Sequence, residues 1–225
     1  MLNQIFNPEN GLFRMTGKVF DLVVLSALWL LCSLPVVTVG SATAALYYSA
    51  VKCVRRDEEH LVRNFFHSFQ ENLRAGIPVT LIALVVALFL NWGRSILLAA
   101  ALEQGGALVA VYIAYLVALI APIGVVCYAF PLLSRFAFGP VGLISAAFKL
   151  ALGHLPATVV MVITLAAAVS LCVQNLLLSM LPLLLCPAVV ALVWSLFLER
   201  IFKGLMPQEE QTETDEDEGK PWYLR

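Results

Sequence analysis

Charge is what this chain has least of. Only 13% of its 225 residues are Asp, Glu, Lys or Arg, against roughly 25% in soluble domains. Hydrophobic residues make up 61%, and the mean hydropathy is +0.89. A water-soluble fold would have to solvate runs such as 77–90 and 107–128, and no polar module of useful size is left over. The net charge of −1 offers no basic footprint for nucleic acid. Cysteine is sparse and unpaired in pattern: Cys32, Cys53, Cys127, Cys172 and Cys186 form no C-x-x-C motif. Most lie in apolar runs, where Cys behaves as a small hydrophobe, which argues against a disulfide framework or a metal site.

Catalytic signatures are missing too. His60, His67 and His154 belong to no H-E-x-x-H motif, and neither G-x-S-x-G nor a P-loop occurs. No catalytic residue, metal or cofactor is therefore expected, and the chain reads as a non-enzyme. The apolar runs almost lack ionisable groups. Asp21, Arg94, Glu199 and Arg200 fall near their ends, within expected reach of interfacial water. Ion-coupled carriers place such groups deep in the membrane, where they are costly and functional, so a proton relay or cation pump is disfavoured.

What is present is a succession of apolar segments with segregated cations. Spanning helices are expected over 17–34, 41–55, 77–98, 107–130, 155–174 and 178–202. Cut this way, all of the 14 Lys and Arg residues except Arg94 fall on one side, and short loops rich in Lys and Arg stay cytoplasmic. The decisive choice lies before residue 56, where 35–40 (Pro-Val-Val-Thr-Val-Gly) interrupts helical bonding. The two flanking helices are about 27 Å and about 22 Å long, so the second is short for a crossing. Counting both keeps Arg14 and Lys18 on the side of Lys52, Arg55 and Arg56. Arg14, Lys18 and Ala42-Thr43-Ala44 imitate a signal peptide, but the apolar run is too long and the site too far in. The expectation is an all-α polytopic bundle in the plasma membrane, with six spans, the second one short, and both termini cytoplasmic. Residues 1–206 form its single transmembrane domain.

Between the spans, segment 58–74 sets Leu61, Val62, Phe65, Phe66, Phe69 and Leu73 against Arg63, His67, Gln70, Glu71 and Arg74 at helical spacing. This pattern predicts a cytoplasmic helix lying along the interface. Phe65, Phe66, Phe69 and Asn72 are its candidate partner-binding residues, since aromatics beside charge suit protein contact. A cavity for a neutral solute would draw on Thr38, Tyr47, Asn91 or Ser134. Ser41, Ala45 and Ser49 follow small-residue spacing that favours close helix approach. Pro122 with Gly124, and Pro187, are expected to kink their helices. Residues 69–73 and 77–80 resemble 148–152 and 155–158, with Pro78 and Pro156 near helix starts; duplication and two independent helix starts both explain this. Gln174 and Asn175 are expected to cap a tight external turn. The tail 207–225 carries seven acidic residues against Lys220 and Arg225 and is expected to be solvated and disordered.

Four strings carry a family resemblance: Leu-Trp-Leu-Leu-Cys-Ser-Leu-Pro-Val-Val-Thr-Val-Gly (28–40), Thr-Ala-Ala-Leu-Tyr-Tyr (43–48), Phe-Phe-His-Ser-Phe-Gln-Glu-Asn-Leu (65–73) and Phe-Pro-Leu-Leu-Ser-Arg-Phe (130–136). In order and spacing the chain resembles the YesL-like family of small bacterial membrane proteins, over most of 10–203. Members of that family are commonly encoded beside carbohydrate-uptake ABC systems and polysaccharide-degrading enzymes of Gram-positive bacteria. The resemblance implies an accessory role in oligosaccharide uptake, with sugar ABC-permease subunits as partners in the bilayer, and supplies no site residues. Ser145-Ala146-Ala147 with Leu155-Pro156 lacks the acid and spacing of the permease loop that grips an ATPase. The alternative is an autonomous carrier or channel for a neutral solute such as a sugar.

Overall fold

A computed structural model of the chain describes residues 11–55, 60–136, 139–174 and 180–204. The turn at Asn175, the acidic tail 207–225 and the ends of the chain lie outside these residues. Every described element is helical. Helix α1 covers Gly11–Cys32, and a short 3-10 turn, Val36–Thr38, leads into α2, Val39–Ser49, which continues through a π-helical turn, Ala50–Arg55. Then follow α3 (Leu61–Gln104), α4 (Ala107–Ala118), α5 (Ile120–Leu133), α6 (Pro140–Gly153), α7 (Leu155–Gln174) and α8 (Met180–Lys203). Helix is the only open-ended element that bonds its own N–H and C=O groups without water, which is why an apolar chain adopts it.

Four stretches are long and apolar enough to cross a membrane: Leu61–Gln104, Ala107–Leu133, Leu155–Val173 and Leu184–Phe202. They coincide with the last four expected spans. The first two expected spans correspond to α1 and to α2 with its π turn. One expected boundary is absent: the interfacial helix of 58–74 and the span of 77–98 form a single unbroken helix of 44 residues. It is about 66 Å long, roughly twice the hydrocarbon thickness. Pro78 lies inside it. The stretch between Arg135 and Lys149, expected as a connection, contains helix α6, which Pro140 starts at the position where a missing N–H is harmless.

Local chemistry explains the breaks. Gly105 and Gly106 turn the chain from α3 into α4 at φ +62 and +55, a region that side chains other than glycine's rarely enter. Pro122 cannot donate to the carbonyl four residues back, and α4 gives way to α5 at Leu119, one residue beyond that carbonyl. Near Pro187, the Ser26 hydroxyl of α1 accepts from the Ala188 N–H of α8 at 3.3 Å.

The tightest contact is between α2 and the first half of α3. Gly40 N donates to Thr80 Oγ1 at 3.2 Å, and that hydroxyl donates to Gly76 O at 2.6 Å. Ser41 Oγ donates to Asn72 O at 3.3 Å. A Cβ on Gly40 would collide with Thr80 and Phe130, and one on Gly76 with Ser41. The small-residue stripe of α2 therefore acts as expected, letting two backbones meet. The arrangement recurs. Thr158, two residues after Pro156 as Thr80 follows Pro78, donates to His154 O at 3.1 Å and lies where a Cβ on Gly124 would strike it. The sequence repeat thus has a structural counterpart, a glycine of an earlier helix seated on the threonine two residues after the proline.

Elsewhere, indole N–H groups tie neighbours together: Trp29 Nε1 donates to Thr43 Oγ1 at 3.1 Å and Trp194 Nε1 to Thr164 Oγ1 at 2.9 Å. Beyond Thr80, α3 is tied to α4, with Tyr115 OH donating to Leu90 O at 2.8 Å beside Gly93. Most side chains of that half, including Val85, Phe89 and Trp92, are exposed and apolar, as a lipid-facing surface requires.

Gly40→Ala is expected to lower the melting temperature in detergent through overpacking of about 1–3 kcal/mol. Gly17→Ala, where a Cβ meets nothing within 4 Å, should leave it unchanged or raise it. Equal effects of the two would contradict the crossing.

Candidate functional site

Buried polar groups converge at one place, where α2, α5 and α8 meet. Glu199, in the penultimate turn of α8, is 5% exposed. Arg135 follows the end of α5 and places Nη2 2.7 Å from Glu199 Oε1. Tyr47 of α2, 1% exposed, donates its hydroxyl to the same oxygen at 3.2 Å. Arg55, at the end of the π turn, donates from Nη1 to Ser195 O one turn earlier on α8, at 3.2 Å. Aromatic rings close the cluster: Phe202 meets Tyr47 edge-on at 6.5 Å and Phe136 edge-on at 5.9 Å.

The local causes are visible in each segment. Glu199, Leu198 and Phe202 share the inward stripe of α8, so the carboxylate enters the core with two large apolar neighbours. The π turn carries one extra residue per turn and ends in Arg55. Arg135 is 16% exposed along its side chain, and its Nε is buried without a hydrogen-bond partner. An isolated charge in such a place costs several kcal/mol, and the opposite charge offsets much of that. Chemically, a carboxylate oxygen that accepts from both a guanidinium and a phenol acts as a lock between three helices. The expectation that Glu199 reaches interfacial water is corrected here: the ends of α2 and α5 cover it.

The residues singled out as partner-binding do not share one surface. Phe65 is fully buried among Leu25, Ala45, Leu46, Ala50 and Val54. Its ring lies parallel to Phe69 at 6.4 Å and edge-on to Phe66 at 5.8 Å. Docking through Phe65 is corrected by that burial, since the ring already fills the seam between α1, α2 and α3. Phe69 is half-buried against the same cluster. Asn72 is half-buried, donating from Nδ2 to Ser68 O at 2.8 Å while its carbonyl receives Ser41. Phe66 remains 41% exposed, beside exposed Arg63, His67, Gln70, Glu71 and Arg74. His67 Nδ1 and Glu71 Oε2 are 3.2 Å apart on that face.

The four candidate cavity residues are also apart. Thr38 bonds its own turn through Cys32 O at 2.6 Å, Ser134 bonds Pro131 O at 2.7 Å, and Asn91 accepts from Arg94 Nε at 3.3 Å. Only Tyr47 belongs to the buried cluster, so the four do not converge. Among the described residues, no group of three His, Cys, Asp or Glu side chains is placed to hold a metal ion.

Sequence reasoning offered Tyr47 as a cavity-lining residue and missed the buried partners that the structure gives it. Arg135 lies 64 residues from Glu199, and Glu199 152 from Tyr47. The available signal was Glu199 itself, an acid one turn inside an apolar helix.

Residues 22–93 match the family model described as "Protein of unknown function, DUF624". The match takes in the second half of α1, all of α2 and α3 as far as Gly93. No curated protein and no solved structure matches the chain.

Glu199→Gln is expected to cost about 3–5 kcal/mol, because Arg135 is left as an uncompensated buried charge. Arg135→Met together with Glu199→Leu should cost clearly less than the sum of the single changes. A double-mutant cycle by reversible unfolding in detergent measures this; additive effects would contradict the lock.

Proposed function

We propose that this chain is a non-enzymatic, multi-pass membrane protein that works by holding a partner, as an accessory component of carbohydrate or oligosaccharide uptake. Its partners are the permease subunits of a sugar ABC transporter, in the plasma membrane. The YesL-like resemblance motivates the uptake system, and the match to an uncharacterised domain family is compatible with it. The observation that carries the binding role is the first four turns of α3. One side of this helix is fixed in the core by Phe65, while the other offers exposed Phe66 among Arg63, His67, Gln70, Glu71 and Arg74. A surface of mixed charge around a single aromatic suits a protein contact.

Orientation follows from the cations. Lys52, Arg55, Arg63, Arg74 and Arg135 belong to one end of the bundle and Arg94 to the other half of α3, so the cation-rich end is cytoplasmic. Both termini then face the cytoplasm. That holds whether or not the α1–α2 hairpin makes two full crossings, because a hairpin returns to the side it left. Two full crossings by the hairpin would make six spans, and a hairpin that does not cross leaves the four long apolar ones.

The carrier reading draws less support. Its four candidate lining residues are dispersed, and the buried charges are engaged with one another rather than with an open path.

Co-purification with sugar-permease subunits is expected to fall at least tenfold on Phe66→Asp with the melting temperature unchanged. Phe65→Asp should instead unfold the protein, because it places a charge in a filled core. Sugar uptake into liposomes by the purified chain alone, together with undiminished co-purification of Phe66→Asp, would overturn the accessory role in favour of a carrier.

A further inference from the structure

The α1–α2 hairpin does not reach as far as α3 does. Three contacts set its level. Asn64 Nδ2 donates to Cys53 Sγ at 3.4 Å, Ser41 meets Asn72, and Gly40 meets Thr80. Helix α2 therefore runs antiparallel to α3 along its first twenty residues. The hairpin turn, just before Gly40, sits level with Thr80. From Thr80 to Gln104, α3 continues for 24 residues, which is about 36 Å. The apolar stretch of α3 begins at Ile77, just after Arg74 and Ala75, so Thr80 lies one turn inside it.

The turn itself is built for hydrocarbon. Leu34, Val36 and Val37 are 77%, 56% and 38% exposed, and Pro35 beside them is exposed and apolar. A loop in water has no need for such a surface. Its backbone is also internally bonded. Ser33 N donates to Trp29 O at 2.9 Å, Leu34 N to Leu31 O at 3.4 Å and Thr38 N to Pro35 O at 3.0 Å. The Thr38 hydroxyl bridges Cys32 O and Pro35 O at 2.6 and 2.7 Å. In lipid each unmet carbonyl costs several kcal/mol, and here one threonine serves two carbonyls, its N–H bonding Pro35 O and its hydroxyl proton shared between Cys32 O and Pro35 O. At the open end of the hairpin stand Lys18, Lys52 and Arg55, cations of the kind that mark an interfacial level. Val19 and Phe20, on the outer face of α1, are exposed as well.

We infer that the α1–α2 hairpin is a re-entrant wedge that enters one leaflet, turns at residues 34–37 among lipid acyl chains and leaves on the side it entered. With the orientation proposed above, on which this clause alone rests, that leaflet is the cytoplasmic one. Four helices then cross the membrane and the hairpin does not. The occupant of the exposed tip is the acyl chain of a bilayer lipid. Apolar side chains at the tip, cations at the base and the missing length toward the outer surface all specify this surroundings.

The test uses the full chain with Val36→Cys, carrying a bimane fluorophore, in phosphatidylcholine–phosphatidylglycerol vesicles. Quenching by nitroxide on the acyl chain is expected to exceed quenching by nitroxide on the headgroup at least twofold. In intact cells, Val36→Cys should react with an impermeant maleimide no more than the unsubstituted chain does, whereas Gln104→Cys should be labelled from outside. Val37→Cys serves if Val36→Cys does not fold. Labelling of Val36→Cys from outside would overturn the wedge in favour of two crossings. Stronger headgroup quenching would overturn it as a surface hairpin, and cross-linking of Val36→Cys between two chains would show a second copy covering the tip. Labelling of Gln104→Cys only from the cytosolic side, with Val36→Cys still quenched by acyl nitroxide, would uphold the wedge and overturn the orientation.

Discussion

The backbone-to-backbone approach of α2 and α3 is the constraint on which the rest is built. In a bilayer, helices gain little from hiding apolar surface, because lipid tails are as apolar as the core, so close packing and interhelical hydrogen bonds must supply the cohesion. Gly40, Ser41 and Gly76 remove the side chains that would hold the helices apart, and Thr80 turns the space into a hydrogen bond. Phe130 of α5 rests on the same glycine. Three helices thus take their spacing from one position without a side chain.

The charged cluster of Arg135, Glu199 and Tyr47 has a different character. It adds specificity rather than bulk cohesion, since an ion pair excluded from water roughly balances its own desolvation and penalises every arrangement that separates it. It links residues from α2, α5 and α8, helices that the glycine contact only partly controls. Packing decides how closely the helices approach; the ion pair decides which faces they present. The same division appears in miniature where Ser26 meets Ala188 beside Pro187.

Much of the fold was legible in the sequence because hydrocarbon reduces the options. Apolar runs had to be helices, and the last four spans lie where the runs lie. Glycine and proline marked the turn at Gly105 and Gly106 and the break at Leu119. What escaped was whatever depends on the neighbour. The amphipathic pattern of 61–74 reads the same whether the helix stops or continues, and Pro78 signalled a boundary, yet α3 runs on through it. Phe65 and Phe66 are adjacent in sequence and equally aromatic, but only one faces the seam filled by α1 and α2. Glu199 was read from its distance to the helix end, which carries no information about the arginine that covers it. The dispersal of Thr38, Asn91 and Ser134 is likewise a three-dimensional fact, each being satisfied by its own helix or turn.

Helix α3 runs unbroken for 44 residues, yet its two halves have opposite surroundings. The first is gripped along its length, by Cys53 on Asn64, Ser41 on Asn72 and Gly40 on Thr80. The second carries α4 and an exposed apolar surface. Any bend at Pro78 is therefore magnified on the ungripped side: about 5° there carries the far end by about 3 Å over an arm of about 36 Å.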